Sequence, residues 1–113
     1  MYSVFQRGVM RSPIENPFTK LTGFQRDLLC VIQWLEKAEE KVSGRQIKKV
    51  LESKDHYAKD IHHGRLYPNL DTLVSKGLVE EISRGERVSE YYLTKQGERD
   101  IKLYSEFVQS SVG

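Results

Sequence analysis

The side chains of this 113-residue chain that could do chemistry cluster in His62-His63-Gly64-Arg65-Leu66-Tyr67-Pro68-Asn69-Leu70-Asp71-Thr72-Leu73-Val74-Ser75-Lys76. On a helix advancing about 100° per residue, Leu66, Leu70, Leu73 and Val74 form one apolar stripe. Arg65, Asn69, Thr72 and Lys76 then fall on the other side at i, i+4, i+7 and i+11. These types suit recognition of duplex nucleic acid. Arginine bonds guanine bidentately, asparagine does the same for adenine, a threonine methyl touches thymine, and lysine holds a phosphate. The free backbone donors at the start of such a helix favour a phosphate as well, with His62 and His63 beside them. Any helix lying on a core has a polar outer face, so this stripe gains meaning only from its surroundings.

Those surroundings are cationic. The net charge of +2 is small, but residues 41–70 carry seven basic side chains (Lys41, Arg45, Lys48, Lys49, Lys54, Lys59, Arg65) against Glu52, Asp55 and Asp60. That concentrates +4 on this stretch and leaves −2 on the remainder. A local positive field is what phosphate binding requires, because each neutralised phosphate releases condensed counterions. Arg45, Lys48 and Lys49 precede the candidate helix as phosphate contacts, and Arg84 and Arg87 follow it.

Other chemistry finds little support. His62 and His63 are adjacent and diverge by about 100° on a helix, with no cysteine or carboxylate at ligand spacing, so no metal or other cofactor is expected. Cys30 is the only cysteine and has no histidine near it, which predicts a packed or partly buried thiol and no nucleophile. Gly23, Gly44 and Gly64 are isolated and build no phosphate loop. Tyr91-Tyr92 reads as sheet packing, and the chain is not expected to be an enzyme. No apolar run approaches the roughly 20 residues of a bilayer span. With one thiol and no secretory leader pattern, a cytoplasmic protein is expected.

The elements that must position the stripe can be read from caps and periods. Residues 1–20, with Pro13 and Pro17, predict an arm anchored by Val4, Phe5, Val9 or Phe18. Thr22 and Gln25 form a capping box that opens a helix through about Glu39, with Phe24, Leu28, Val31, Ile32 and Leu35 inward. Trp34 lies on the flank of that face and is expected to pack against the final helix or another subunit. Lys41-Val42 predicts a short bridge. Ser43 and Gln46 repeat the cap pattern before a second helix with Ile47, Val50 and Leu51 inward. Pro68 requires the third helix to start around His63 to Arg65, and Gly77 ends it in a left-handed conformation. Leu78–Ile82 and Val88–Leu93 are β-prone, and residues 83–87 read as the hairpin loop between them. Thr94 then caps a last helix whose apolar face, Ile101, Leu103, Tyr104, Phe107 and Val108, is too broad for one small core.

The fold class expected is mainly α with a small β-hairpin: a winged helix-turn-helix of order α-α-α-β-β-α, with a short bridge before the second helix. Residues 1–20 are the arm, 21–94 the winged-helix domain, and 95–113 a C-terminal dimerisation helix.

Gly64-Arg65-Leu66-Tyr67-Pro68-Asn69-Leu70-Asp71-Thr72-Leu73, Gly77-Leu78-Val79-Glu80 and Tyr91-Tyr92-Leu93-Thr94 with Gly97 together resemble the PadR-like transcriptional regulators. Leu21–Leu29 is similar to archaeal members. The resemblance spans roughly residues 21–100. It implies a homodimeric repressor binding double-stranded DNA, with Arg65, Tyr67, Asn69 and Thr72 facing bases or phosphates. It also implies a dimer built outside the winged-helix core, and some members bind small aromatic effectors there, a role open to Trp34. Two departures stand out. The final helix is short, which points to the arm or first helix as added dimer elements. The wing has Glu80, Glu81, Glu86 and Glu90 around Arg84 and Arg87, which predicts a small wing contribution. Two other functions fit the same sequence: a replication, plasmid or virus control protein that binds DNA, and a winged-helix protein-interaction module that does not.

Overall fold

The computed structural model describes residues 15–53, 61–85 and 88–112; of His63, Arg84, Ser111 and Val112 it describes the backbone alone. Expectations placed on Val4, Phe5, Val9, Lys54, Lys59 and Arg87 lie outside the described residues. The order is α1 (Gly23–Lys37), α2 (Gly44–Glu52), α3 (His63–Ser75), β1 (Val79–Arg84), β2 (Val88–Leu93) and α4 (Lys95–Val112). This is the expected winged helix-turn-helix.

Local rules account for the helix starts. At α1 the Thr22 hydroxyl accepts from Gln25 N at 3.1 Å, and Gln25 Oε1 accepts from Thr22 N at 3.2 Å, closing the capping box. Ser43 Oγ accepts from Gln46 N at 3.2 Å and opens α2. The expected bridge falls one residue later than Lys41-Val42, pairing Ser43 with Glu90, while the Val42 carbonyl accepts from Tyr91 N at 2.8 Å. The start of α2 is thereby stitched to the wing. β1 and β2 pair antiparallel from Val79↔Leu93 out to Arg84↔Val88, so Ser83 and Arg84 belong to the strand and not to the loop.

The end of α3 carries the densest set of constraints. Gly77 is left-handed (φ 76°), its N donates to Val74 O at 3.0 Å, and Leu78 N donates to Leu73 O at 3.1 Å. That double bond pattern, with Leu78 buried behind it, is a Schellman closure. Thr94 then ties this turn to α4. Its hydroxyl donates to Gly77 O at 2.6 Å and accepts from Gly97 N at 3.0 Å, while its own N donates to Leu78 O at 3.1 Å. A Cβ on Gly97 would drive into the Leu78 carbonyl oxygen and lie 3.1 Å from its carbon. Only a glycine lets the first turn of α4 rest there.

One core runs through these elements, built from the inward faces of α1 (Leu28, Leu29, Ile32), α2 (Ile47, Leu51), α3 (Leu66, Leu70, Leu73) and β1 (Val79). Phe18, expected among the residues that anchor the arm, is 2% exposed and packs on Tyr104 of α4 with 5.2 Å between ring centroids. One expectation changes. Ile101, assigned to a partner surface, lies in the core at 9% exposure because α4 turns that edge towards α1 and β2.

Glu36 joins α1 to the wing: its Oε2 accepts from Leu93 N at 2.8 Å. Burial pushes its carboxyl up from the ordinary value and Glu98 pushes the same way, while the Leu93 bond opposes them. The folded chain thus favours the protonated carboxyl. Stability tied to Glu36 is fully present below its unfolded pKa and is lost as pH rises through the raised folded one.

Two measurements follow from these joints. Gly97→Ala should lower stability in denaturant melts by at least about 2 kcal/mol, the scale of backbone overpacking. Glu36→Gln keeps an acceptor for Leu93 N and should raise the thermal midpoint at pH 7, with the gain shrinking as pH falls to 4; a constant or negative difference would contradict the assignment.

Candidate nucleic-acid interface

The third helix meets solvent along Gly64, Pro68 and Ser75, which are exposed, with Thr72 half-buried among them and its hydroxyl donating to Pro68 O at 3.0 Å. Pro68 has no N–H, so α3 leaves the Gly64 carbonyl without its helical donor on this open side, where solvent can reach it. Two of the side chains expected to read DNA, Arg65 and Asn69, lie to one shoulder of this line, against the N-terminus of α1. Arg65 is exposed, but its guanidinium carbon sits 4.1 Å from the centre of the Phe24 ring. Stacking of that kind holds a long side chain in one direction. Lys76 is exposed at the C-cap. Asn69 is half-buried, and both ends of its amide are used: Oδ1 accepts from Gln25 Nε2 at 2.8 Å, and Nδ2 donates to Arg65 O at 2.7 Å. A bidentate adenine contact by Asn69 would have to share the amide with these two bonds or break them.

Tyr67 is half-buried on the opposite shoulder, facing α2. A Cβ on Gly44 would come within 2.7 Å of its ring, so the absence of a side chain after the Ser43 cap is what admits the tyrosine. Tyr67, Gly44, Arg45, Ser89 and Tyr91 line a cleft of about 430 Å³ between α2, α3 and the wing. Tyr67, expected to face DNA, thus seats its hydroxyl end against Gly44 in that cleft. Tyr91, behind it, is pushed up to about 12 by burial first, then by Glu81 and Asp71, with Ser89 opposing. It stays a neutral phenol at physiological pH.

The cations of α2 are unequal. Arg45 and Lys49 are exposed. Lys48 pairs with Glu52 at 3.9 Å, and Glu52 Oε2 also accepts from Ile61 N at 2.8 Å, fixing the chain just before α3. The Lys48 charge is thus partly answered within the chain. His62 is exposed at the N-cap of α3 and makes no side-chain cap bond. His63 and Arg84 have undescribed side chains, and Arg87 lies outside the described residues. On the wing, Glu80 and Glu81 are exposed, and Asp71 on α3 faces the same way as Glu81 towards Tyr91. The exposed carboxylates on this flank repel phosphate.

A second exposed surface lies on α1 and α4. Trp34 is 59% exposed, Leu103 39% and Val108 38%. Tyr104 and Phe107 are half-buried and stack at 6.2 Å, with Arg26 over Tyr104 at 5.7 Å. Trp34 does not pack under α4 as expected. Cys30 shares its stripe one turn back and is exposed, not packed. Desolvation by its neighbours and the Asp27 carboxylate still push its thiol up, against Arg26, which keeps it protonated and unreactive. Among the described residues no helix is long and apolar enough to cross a membrane, and no group of three metal-binding side chains converges.

Sequence reasoning missed two members of the site. Gln25 was legible only as a capping residue, and nothing in the sequence signals its bond across to Asn69. Gly44 carried a usable signal: a glycine directly after a serine cap, where most residues suit the helix better, points to a close neighbour.

Comparisons with known proteins agree with this geometry. The model of the transcriptional regulator PadR-like family matches residues 31–103. A RosR complex structure, from the H. salinarum protein, is 41% identical with a TM-score of 0.70, covering 82% of this chain and 75% of that one. A mutant MarR from E. coli complexed with operator DNA is 28% identical with a TM-score of 0.60, covering 78% of this chain and 56% of that one. A winged-helix DNA-binding protein from STIV is 19% identical with a TM-score of 0.58, covering 78% and 90%, which bears on the fold alone. No curated protein sequence matches.

The cleft itself can be probed without a ligand. Gly44→Ala should displace the Tyr67 ring and cost about 1–3 kcal/mol. The same substitution combined with Tyr67→Leu should recover part of that loss in a denaturant melt, since the colliding ring is gone.

Proposed function

The chain belongs to the PadR-like family of transcriptional regulators, and on that premise we propose that it binds duplex DNA as a dimeric repressor, with α3 in the major groove. The observation that carries this reading is the surface of α2 and α3. Arg45, Lys49, Arg65 and Lys76 are all exposed there, beside a line of α3 that no other element covers among the described residues. The operator complex of MarR supports it. Arg65 reads a base edge, Arg45 and Lys49 hold phosphates near the start of α2, and Lys76 holds one at the far end of α3. The wing, acidic on Glu80 and Glu81, adds little.

The dimer is built from Trp34 on α1 and Leu103, Tyr104, Phe107 and Val108 on α4. Large exposed apolar side chains collected on one pair of helices mark an association surface. A two-fold dimer reads two half-sites about one helical turn apart, so the operator is palindromic.

Selection from random duplex DNA tests the whole reading, and a palindromic consensus is the expected result. Affinity for that consensus should fall steeply with salt. Arg45→Ala and Lys49→Ala should each reduce the salt slope by about 1, and Lys48→Ala by less because Glu52 already shares its charge. Arg65→Ala should cost about 1–3 kcal/mol and relax one base position. Binding that ignores salt, or no retained duplex, would refute DNA binding. For the dimer, sedimentation equilibrium should give twice the chain mass, and Trp34→Asp should shift it towards the monomer.

A further inference from the structure

Four groups from two helices form a single polarised line of hydrogen bonds. Thr22 N donates to Gln25 Oε1 at 3.2 Å, Gln25 Nε2 donates to Asn69 Oδ1 at 2.8 Å, and Asn69 Nδ2 donates to Arg65 O at 2.7 Å. The line begins at a backbone N–H, which can only donate, and ends at a backbone carbonyl, which can only accept. Both amides are therefore oriented by the main chain at either end, and neither can flip without setting two like groups against each other. Gln25 is 8% exposed, so breaking its bond to Asn69 would leave a desolvated donor without a partner. Beside this line, the Arg65 guanidinium lies on the Phe24 ring, the residue next to Gln25.

We propose that Gln25 and Asn69 are positioning residues for DNA readout: their amide pair stays closed on DNA and sets the seat of α3 against the N-terminus of α1. Asn69 then reads no base. Groove contact falls to Arg65 and to the outward line of Pro68, Thr72 and Ser75, whose phase around the helix is held by the amide pair. The inference rests on the DNA-binding reading above and adds a residue on α1, far in sequence from α3, to what determines specificity.

The experiment compares wild type, Gln25→Leu, Asn69→Ala and the double variant. Each is measured for affinity and full base-preference profile on the selected duplex, at a temperature where circular dichroism shows all four folded. Each single variant should bind about tenfold more weakly, and the double no more weakly than the worse single, because both remove one shared interaction. The two single variants should also share one altered preference profile. Relaxation of a single adenine position by Asn69→Ala, with Gln25→Leu leaving it intact, would show Asn69 to be a base reader and overturn the proposal. Unchanged affinity and preference in both would overturn it too. Should a variant fail to fold, the wild-type side-chain amide signals decide: both should keep their shifts as duplex is added. A large shift of the Asn69 signal with Gln25 unmoved would mean the pair opens, against the proposal. Failure of the DNA-binding reading is a separate event, visible in wild type as no retained duplex before any variant is made.

Discussion

The joint between Gly77, Leu78, Thr94 and Gly97 is the constraint on which the rest of the molecule depends. Three elements meet within a few residues there: the last turn of α3, the start of β1 and the first turn of α4. Thr94 bonds to all of them, through its hydroxyl to Gly77 O and Gly97 N and through its main chain to Leu78 O. Each of these backbone groups would otherwise be an unpaired helix-end or turn group in a partly buried place, and such groups are costly. The close seat of Gly97 on the Leu78 carbonyl then fixes where α4 leaves the hairpin. Once α4 is set, Tyr104 reaches Phe18 and Arg26, and the preceding segment is held on α1. The family motif at these positions is thus a description of one hydrogen-bonded corner.

The second stitch runs through β2, whose inner edge touches both other helices of the domain. Tyr91 N bonds Val42 O ahead of α2, and Leu93 N bonds Glu36 on α1. A strand with free donors on its outer edge invites pairing with another chain, and here those donors are used within the domain. The carboxylate chosen for Leu93 brings a cost, because burial and the neighbouring Glu98 both disfavour its charge. What Glu36 supplies is geometry: it docks the wing base to α1.

Much of the fold was legible because it follows from local rules. The Thr22 and Ser43 caps, the left-handed Gly77 and the leucine stripe of α3 are each decided within a few residues of sequence, and each stands where its rule puts it. The register of the wing was less legible: Ser83 and Arg84 extend β1 because Ser89 and Val88 lie opposite, a pairing that no single strand encodes. The site was the least legible part. A helical wheel assigns Asn69 and Arg65 to an outer face but is blind to the helix beside it. Gln25 and Phe24 lie 44 and 41 positions away from them in the chain, and only packing brings them together. The same limit applies to Ile101, whose period fits an outer face equally well.

These contacts bear on how a small helix can read DNA tightly. A long side chain free in water loses rotamer entropy when it binds, of order 1–2 kcal/mol for arginine. Arg65 lies on Phe24 before any DNA arrives, so part of that loss is incurred in folding and not at the groove. The backbone is treated alike. The Schellman closure fixes α3 at its C-terminal end, the Gln25–Asn69 pair fixes it at its middle, and Glu52 holds Ile61 just before it begins. Pro68 narrows the remaining freedom by removing one helical donor and fixing a φ angle in mid-helix. A recognition helix held at both ends can present a shallow polar line to the groove and still discriminate, because misplaced poses would have to break internal bonds. On the proposed reading, specificity comes as much from what α3 is prevented from doing as from the atoms it offers.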